Sequence, residues 1–330
     1  MKRFAFIDIS KGLGILLVVL GHLFRSDQAI YNIIYAFHMP LFFILSGAFA
    51  NTNLSLGQYF KKNFLRLYLP FVIFSLADFL LTISSSILRN TFSITQVKSL
   101  LLSITGLNFT TTNTPIWFLF ALFVIQMIYY FINANKILKM SALFIAPIFA
   151  IAAFFVYFPK NCLWIVAIPC LSFFVAGNFL KEKLLSLPEK IEESKTKYLI
   201  FTLIITVAFV FLSVKNTNVR MGDCIYGDPI LFVFNAFAGT FVLIVFSVFI
   251  SAFTPISKAL CFFGKNSIIV LTTHYYFCRV IFPWGMAHFG LYQLVKNYGI
   301  QLLAFAIIIG ITVPIILIIN KYFRFIYGKK

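Results

Sequence analysis

Three side chains among the first 22 residues are of the kinds that hold anions and move protons, and their spacing groups them. Asp8 and Lys11 are three apart, and His22 follows Lys11 by eleven. At about 100° per residue all three fall on one face of a helix. A rise of about 1.5 Å per residue separates Lys11 from His22 by roughly 16 Å. Such a stripe carries an ion pair at one end and, at the other, an imidazole that titrates near neutrality. A plainer reading has Asp8 and Lys11 neutralising each other at an interface and His22 as a hydrogen-bonded interior histidine. Phe37-His38-Met39-Pro40 sets a second histidine a short loop beyond His22 and at comparable depth, as an acid/base site requires.

The elements that position these residues follow from composition. The chain has 330 residues, of which 61% are hydrophobic and 11% charged, with 44 Phe, and its mean hydropathy is +0.97. Soluble domains carry about a quarter charged residues, so water is not the main solvent here. Cutting at the polar breaks leaves ten apolar stretches, 4–24, 31–49, 67–88, 115–132, 140–158, 162–180, 198–214, 229–250, 267–285 and 300–319. Each is long enough for a helix across a hydrocarbon core of about 30 Å. Runs such as LLVVL, LFFIL and FAIIIGITVPIILII lack the alternation of barrel strands. The expected architecture is all-α and polytopic, with ten transmembrane helices. The first stretch contains Asp8 and Lys11 and precedes no A-x-A site, so it reads as a retained helix and not as a cleaved leader. The longest polar loops, 89–114, 181–197 and 215–228, are too short for a soluble domain, and residues 1–330 read as a single membrane domain. One internal echo, Pro40 to Gly47 (PLFFILSG) against Pro169 to Gly177 (PCLSFFVAG), is too brief for a transporter-type repeat.

A net charge of +18 and a pI near 9.8 would suggest nucleic acid in a soluble protein. In a membrane protein, basic residues gather in cytoplasmic loops. With the N-terminus inside, eighteen basic residues, from Lys2 and Arg3 to Lys329 and Lys330, fall in inner segments. Seven fall outside (Arg25, Arg89, Lys98, Lys160, Lys215, Arg220 and Lys296), while Lys11 and Arg279 lie in helices. The asymmetry places both termini in the cytoplasm and explains the charge without a nucleic-acid partner. The five cysteines, Cys162, Cys170, Cys224, Cys261 and Cys278, form no C-x-x-C pair and read as packing residues, with Cys224 in an outer loop the one open to reaction. No phosphate loop, H-E-x-x-H or Cys/His cluster occurs, and no metal is expected.

Asp8-x-x-Lys11-Gly12, followed by Val18-Val19-Leu20-Gly21-His22 and by FHMPLFFILSG at 37–47, resembles the membrane acyltransferase-3 family, and within it the fucose 4-O-acetylase-like group. Supporting matches are Arg66-Leu67-Tyr68-Leu69-Pro70, Pro115-Ile116-Trp117-Phe118-Leu119, and Gly264-Lys265-Asn266-Ser267 with His274. Two positions depart: the family most often has arginine where this chain has Lys11, and Asn63 stands where a second basic residue is usual, with Lys61 and Lys62 adjacent. Lysine keeps the charge but loses the bidentate fork.

The resemblance implies transfer of an acetyl group from acetyl-CoA, a substrate and not a resident cofactor, to a hydroxyl of a surface polysaccharide or its lipid-linked precursor. It also implies a multi-pass protein of the bacterial cytoplasmic (inner) membrane, surrounded by lipid. Lys11, Arg66, Lys61 and Lys62 lie toward the cytoplasm, where positive charge can hold CoA phosphates. The rise from Lys11 to His22 is of the order of a pantetheine arm. His22 would act as general base on the sugar hydroxyl, or as a nucleophile through an acyl-imidazole. Asp8 can orient Lys11, but at roughly 21 Å along the helix it is too far to orient His22.

Candidates for supporting His22 are His38, Asp78, Asn113, Trp117 and His274. Asp78, mid-helix, and His274, in Thr-Thr-His-Tyr-Tyr, read equally as cavity residues or as interhelical hydrogen-bonding groups. Trp117 reads as an interface anchor by position and as a sugar-stacking platform by resemblance. His288 and the KEKLLSLPEKIEESKTK loop at 181–197 read as solvated. A glycan or lipid transporter or flippase is the alternative, and it predicts paired broken helices in two halves. A scaffold or sensor without chemistry would not need the Asp8, Lys11 and His22 stripe.

Overall fold

All ten apolar stretches are helical in the computed structural model, which describes residues 4–24, 28–88, 90–159 and 161–328. The main helices are α1 (Ala5–Leu23), α2 (Ala29–Ala48), α3 (Leu56–Leu88), α4 (Ile94–Ile104), α5 (Thr114–Ile132) and α6 (Lys136–Phe155). They continue with α7 (Leu163–Phe179), α8 (Lys195–Lys215), α9 (Pro229–Ile250), α10 (Thr254–Lys265), α11 (Ser267–Tyr276) and α12 (Tyr298–Tyr322). All but α4, α7, α10 and α11 are long and apolar enough to cross a membrane, eight in all. Helix α7 has 17 residues, and α11, which runs on through Phe277–Ile281 to Phe282–His288, is diluted by Thr272, Thr273, His274 and Arg279. The protein is an all-helical, polytopic membrane protein. Among the described residues there is no β-strand, and the one isolated bridge joins Arg220 to Ile225.

Local chemistry sets the helix ends. Ser55 and Gln58 form a capping box that starts α3 eleven residues before the predicted 67. Asp228 caps α9 ahead of Pro229, and Asn297 caps α12. Three segments between the apolar stretches carry helix. The 89–114 segment is not all loop, because Ser93 caps α4 within it. The 181–197 segment is a largely solvated connector as expected, but it is helical, Lys181–Leu185 and Leu187–Glu193, and Leu187 and Ile191 bury beside Phe6 and Ile7. Residues 254–265, which fall between the 229–250 and 267–285 stretches, form α10. Of the charges used to orient the chain, Lys2, Arg3, Arg25, Arg89, Lys160, Lys329 and Lys330 lie outside the described residues.

The core is built around α1 and α2, whose apolar windows are 67% and 72% buried, whereas that of α8 is 11% buried. Helices in lipid gain little from hydrophobic contact with each other, so close packing at small residues holds them together. Two crossings show it. A Cβ on Gly12 would run into the Leu260 carbonyl of α10, and one on Gly264 into the Asp8 carbonyl of α1. At the second, a Cβ on Gly47 would meet the Phe174 carbonyl of α7, and one on Gly177 the Ile44 carbonyl of α2. The two echoing segments, 40–47 and 169–177, are thus each other's packing partners.

Candidate active site

Helix α1 runs unbroken from one cavity to another. At its C-terminal end a cavity of about 570 Å³ is lined by His22, Tyr35, His38, Trp117, Tyr275 and Arg279, among others. Nδ1 of His22 lies 3.1 Å from the Tyr35 hydroxyl. Tyr35 ends the first segment of α2 and His38 begins the second, across a break at Ala36 and Phe37, and their rings are 4.8 Å apart. Nδ1 of His38 donates to the Ile34 carbonyl at 2.8 Å. Because a carbonyl only accepts, that nitrogen carries the proton and Nε2 keeps its lone pair. His274 is arranged the same way, donating from Nδ1 to the Val270 carbonyl at 2.8 Å. Its ring centroid is 5.2 Å from that of His22. His274 is fully buried behind the cavity wall, and its Nε2 makes no hydrogen bond.

The remaining supporting candidates divide. Trp117 is buried and forms part of the same wall, its indole Nε1 close against Gly222, so it is not an exposed interface anchor. Asn113 stands behind the wall and donates from Nδ2 to the Thr272 carbonyl at 2.8 Å, tying the start of α5 to α11. Asp78 also lies outside the cavity. Its carboxylate accepts from the Thr112 amide at 2.7 Å and from the Tyr276 hydroxyl at 2.8 Å.

At the other end of α1 a second cavity of about 300 Å³ is lined by Asp8, Lys11, Lys62, Asn63 and Arg66, with Gln126, Lys265 and Asn266 across from them. Three of the four cations assigned to anion binding therefore meet in one space. Lys61 does not: it is exposed and stands off the cavity wall. Asn63 donates from Nδ2 to the Tyr59 carbonyl at 3.0 Å, and the Tyr59 hydroxyl bonds Gln126, which fixes that side of the wall. The boundary between the cavities runs through neighbouring side chains. Met39 and Trp117 face the His22 side, Phe42 and Phe118 face the Lys11 side, and the latter two rings pack 5.9 Å apart.

Sequence reasoning missed Tyr35, Tyr31, Tyr275 and Arg279. The nearness of Tyr35 to His38 and the charge of Arg279 inside the 267–285 stretch were usable signals. Arg279 sits in a π-helical turn, Phe277–Ile281, and Arg66 sits in another, Phe64–Tyr68. Such turns are rare and concentrate at functional sites. Cys224, expected to be open to reaction, is buried, and burial pushes its thiol up to about 11. His288 is exposed as expected and stacks on Trp284. Among the described residues no group of three or more His, Cys, Asp and Glu side chains converges as a metal site would.

A model of the acyltransferase-3 family, described as an acyltransferase domain, matches residues 4–321. No curated protein and no solved structure matches the chain.

Proposed function

The chain belongs to the acyltransferase-3 family and is a membrane acyltransferase; from that premise we propose that it moves an acetyl group from cytoplasmic acetyl-CoA to a hydroxyl of a bacterial surface polysaccharide or its lipid-linked precursor. FHMPLFFILSG at 37–47 supports the fucose 4-O-acetylase-like group within the family. Residues 1–330 act as one domain of the bacterial inner membrane with both termini in the cytoplasm, and acetyl-CoA is a substrate, so the reaction needs no resident cofactor.

The observation that supports this reading is the pair of cavities at the two ends of α1, one with Lys11, Lys62 and Arg66, the other with His22 and His38. Phosphates of the donor bind the cations, where fixed charge and hydrogen-bond donors act together. The pantetheine arm spans the roughly 16 Å between Lys11 and His22 and passes Phe42 and Phe118. The mechanism requires the tautomer in which Nδ1 of His22 donates to the Tyr35 oxygen, which leaves Nε2 as the base. Nε2 takes the proton of the acceptor hydroxyl while its oxygen attacks the thioester carbonyl. The tetrahedral intermediate collapses, the carbon–sulfur bond breaks, and the departing thiolate takes the proton from the imidazolium. His274 packs against the His22 ring and His38 lines the same cavity. Asp78 and Asn113 hold the wall.

The test is the mass of the surface polysaccharide repeat unit in cells with the gene, without it, and with only the His22→Ala copy. Loss of an acetyl group in the last two, with the variant still present in membranes, is the expected result. Unchanged acetylation with polymer missing from the surface would replace the enzyme by a transporter.

A further inference from the structure

We propose that the ligand of the His22 cavity is anionic, a sugar that bears a carboxylate or is joined to a phosphate, and that Arg279 and Arg220 read that charge. The proposal rests on the transferase reading for naming this ligand the acceptor, but not for its binding.

Arg279 reaches the cavity by helical spacing. Leu271, Tyr275 and Arg279 recur every four residues, so they fall on one side of α11 and its continuation, and all three line the cavity. Arg279 lies in a π-turn in which the Phe282 amide bonds the Phe277 carbonyl, a feature that concentrates at functional sites.

Arg220 comes from the other side. It starts a hairpin in which its amide donates to the Ile225 carbonyl at 2.7 Å and its carbonyl accepts from the Ile225 amide at 3.1 Å. Gly222 at the tip lies so close to the Trp117 indole that a Cβ there would collide with Nε1. The hairpin is thus seated on the cavity wall, with Arg220 and Asp223 both lining the space.

The charges do not cancel. Arg220 is met by Asp223 at 3.5 Å, and among the described lining residues there is no second carboxylate to face Arg279. Two guanidiniums thus stand against one carboxylate at the cavity; both arginines are exposed, so their attraction for an anion is screened by salt. In the proposed orientation this end also faces outward, against the bias that keeps cations inside. A neutral sugar would be satisfied by the aromatic faces and hydroxyls of Trp117, Tyr31 and Tyr275. A planar guanidinium fork instead matches the paired oxygens of a carboxylate or phosphate.

The test is calorimetric titration of the full-length protein in lipid nanodiscs, without acetyl-CoA, using methyl glucoside, methyl glucuronoside and glucose 1-phosphate. An anionic probe is expected to bind at least about tenfold more tightly than methyl glucoside, with the margin shrinking as salt is raised. Arg279→Gln should shrink the margin, Arg279→Lys should keep more of it, and the Arg220→Gln, Arg279→Gln double variant should erase it. Preference for the glucuronoside puts the charge on the sugar; preference for the phosphate puts it on the carrier linkage. Equal binding of the three probes, binding of none at millimolar concentration, or a preference that survives in the Arg220→Gln, Arg279→Gln double variant overturns the proposal. Because no donor is present, an intact preference alongside failed acetyl transfer in cells would refute the transferase reading alone.

Discussion

The Tyr35 hydroxyl lies 3.1 Å from Nδ1 of His22, and the Tyr35 ring is stacked on Tyr31 with centroids 3.8 Å apart. The stack holds the phenol, the phenol holds Nδ1, and the free nitrogen of His22 is thereby set toward the cavity. Tyr35→Phe keeps the ring and removes only that hydrogen bond. Turnover is expected to fall about tenfold with the donor KM unchanged, against a loss of about a hundredfold or more for His22→Ala. Steady-state kinetics on membrane vesicles measures both; full turnover in Tyr35→Phe would deny the hydroxyl any part in orienting the base.

Donor binding should separate cations that were equivalent by sequence. Lys11 and Lys62 line the smaller cavity, whereas Lys61, adjacent in the chain, is exposed outside it. Loss of a charge-assisted contact is worth about 1.5–3 kcal/mol, so Lys11→Ala and Lys62→Ala should each raise the acetyl-CoA KM by about tenfold or more. Lys11→Arg should be tolerated, since it keeps the charge, and Lys61→Ala should leave KM near the wild-type value. An equal effect at Lys61 and Lys62 would mean that the donor is held at the surface and not in the cavity.

The close crossing of α2 and α7 predicts a stability effect unconnected with chemistry. A methyl group on Gly177 has no room before the Ile44 carbonyl, while nothing lies within 4 Å of the corresponding position on Gly57. Overpacking against a neighbouring backbone costs about 1–3 kcal/mol. Gly177→Ala should therefore melt at a distinctly lower temperature in detergent, and Gly57→Ala, within α3, should melt with the wild type or slightly above it. Coincident melting curves for the two variants would show that the crossing can loosen without loss.

What could be read in advance was whatever helical periodicity and lipid solvation dictate. Asp8, Lys11 and His22 fall on one stripe because α1 is a regular helix, and the short connection after it was enough to bring His38 to the level of His22. The ten stretches were legible because bilayer depth tolerates few charges. Arg279 was passed over because its neighbour on the same helix face, Tyr275 four residues earlier, gave no sign of chemistry by itself. Helix α10 was hidden because it lies on α1 through Gly12 and Gly264 and spans nothing. The likeness of 40–47 and 169–177 was visible, but its cause, two helices sharing one backbone contact, needed the third dimension.

Asp78 separates a positioning role from a catalytic one. Its two oxygens accept from the Thr112 amide at 2.7 Å and the Tyr276 hydroxyl at 2.8 Å, and it does not line the His22 cavity. Yet Thr111 and Tyr275, the neighbours of its two partners, do line it. Asp78 therefore fastens the segment before α5 to α11 from behind. Asp78→Asn keeps the volume but turns an amide N–H toward one of the two donors, so one of these hydrogen bonds must be lost. Turnover should fall with the acetyl-CoA KM unmoved, and the Thr112 amide should exchange its hydrogen faster. Tyr276→Phe should lower turnover by a smaller factor and leave Thr112 protected, since only one of the two bonds is cut. A variant Asp78→Asn with wild-type turnover and unchanged exchange at Thr112 would leave the carboxylate as packing alone; a rise in the donor KM would instead move its role to the other end of α1.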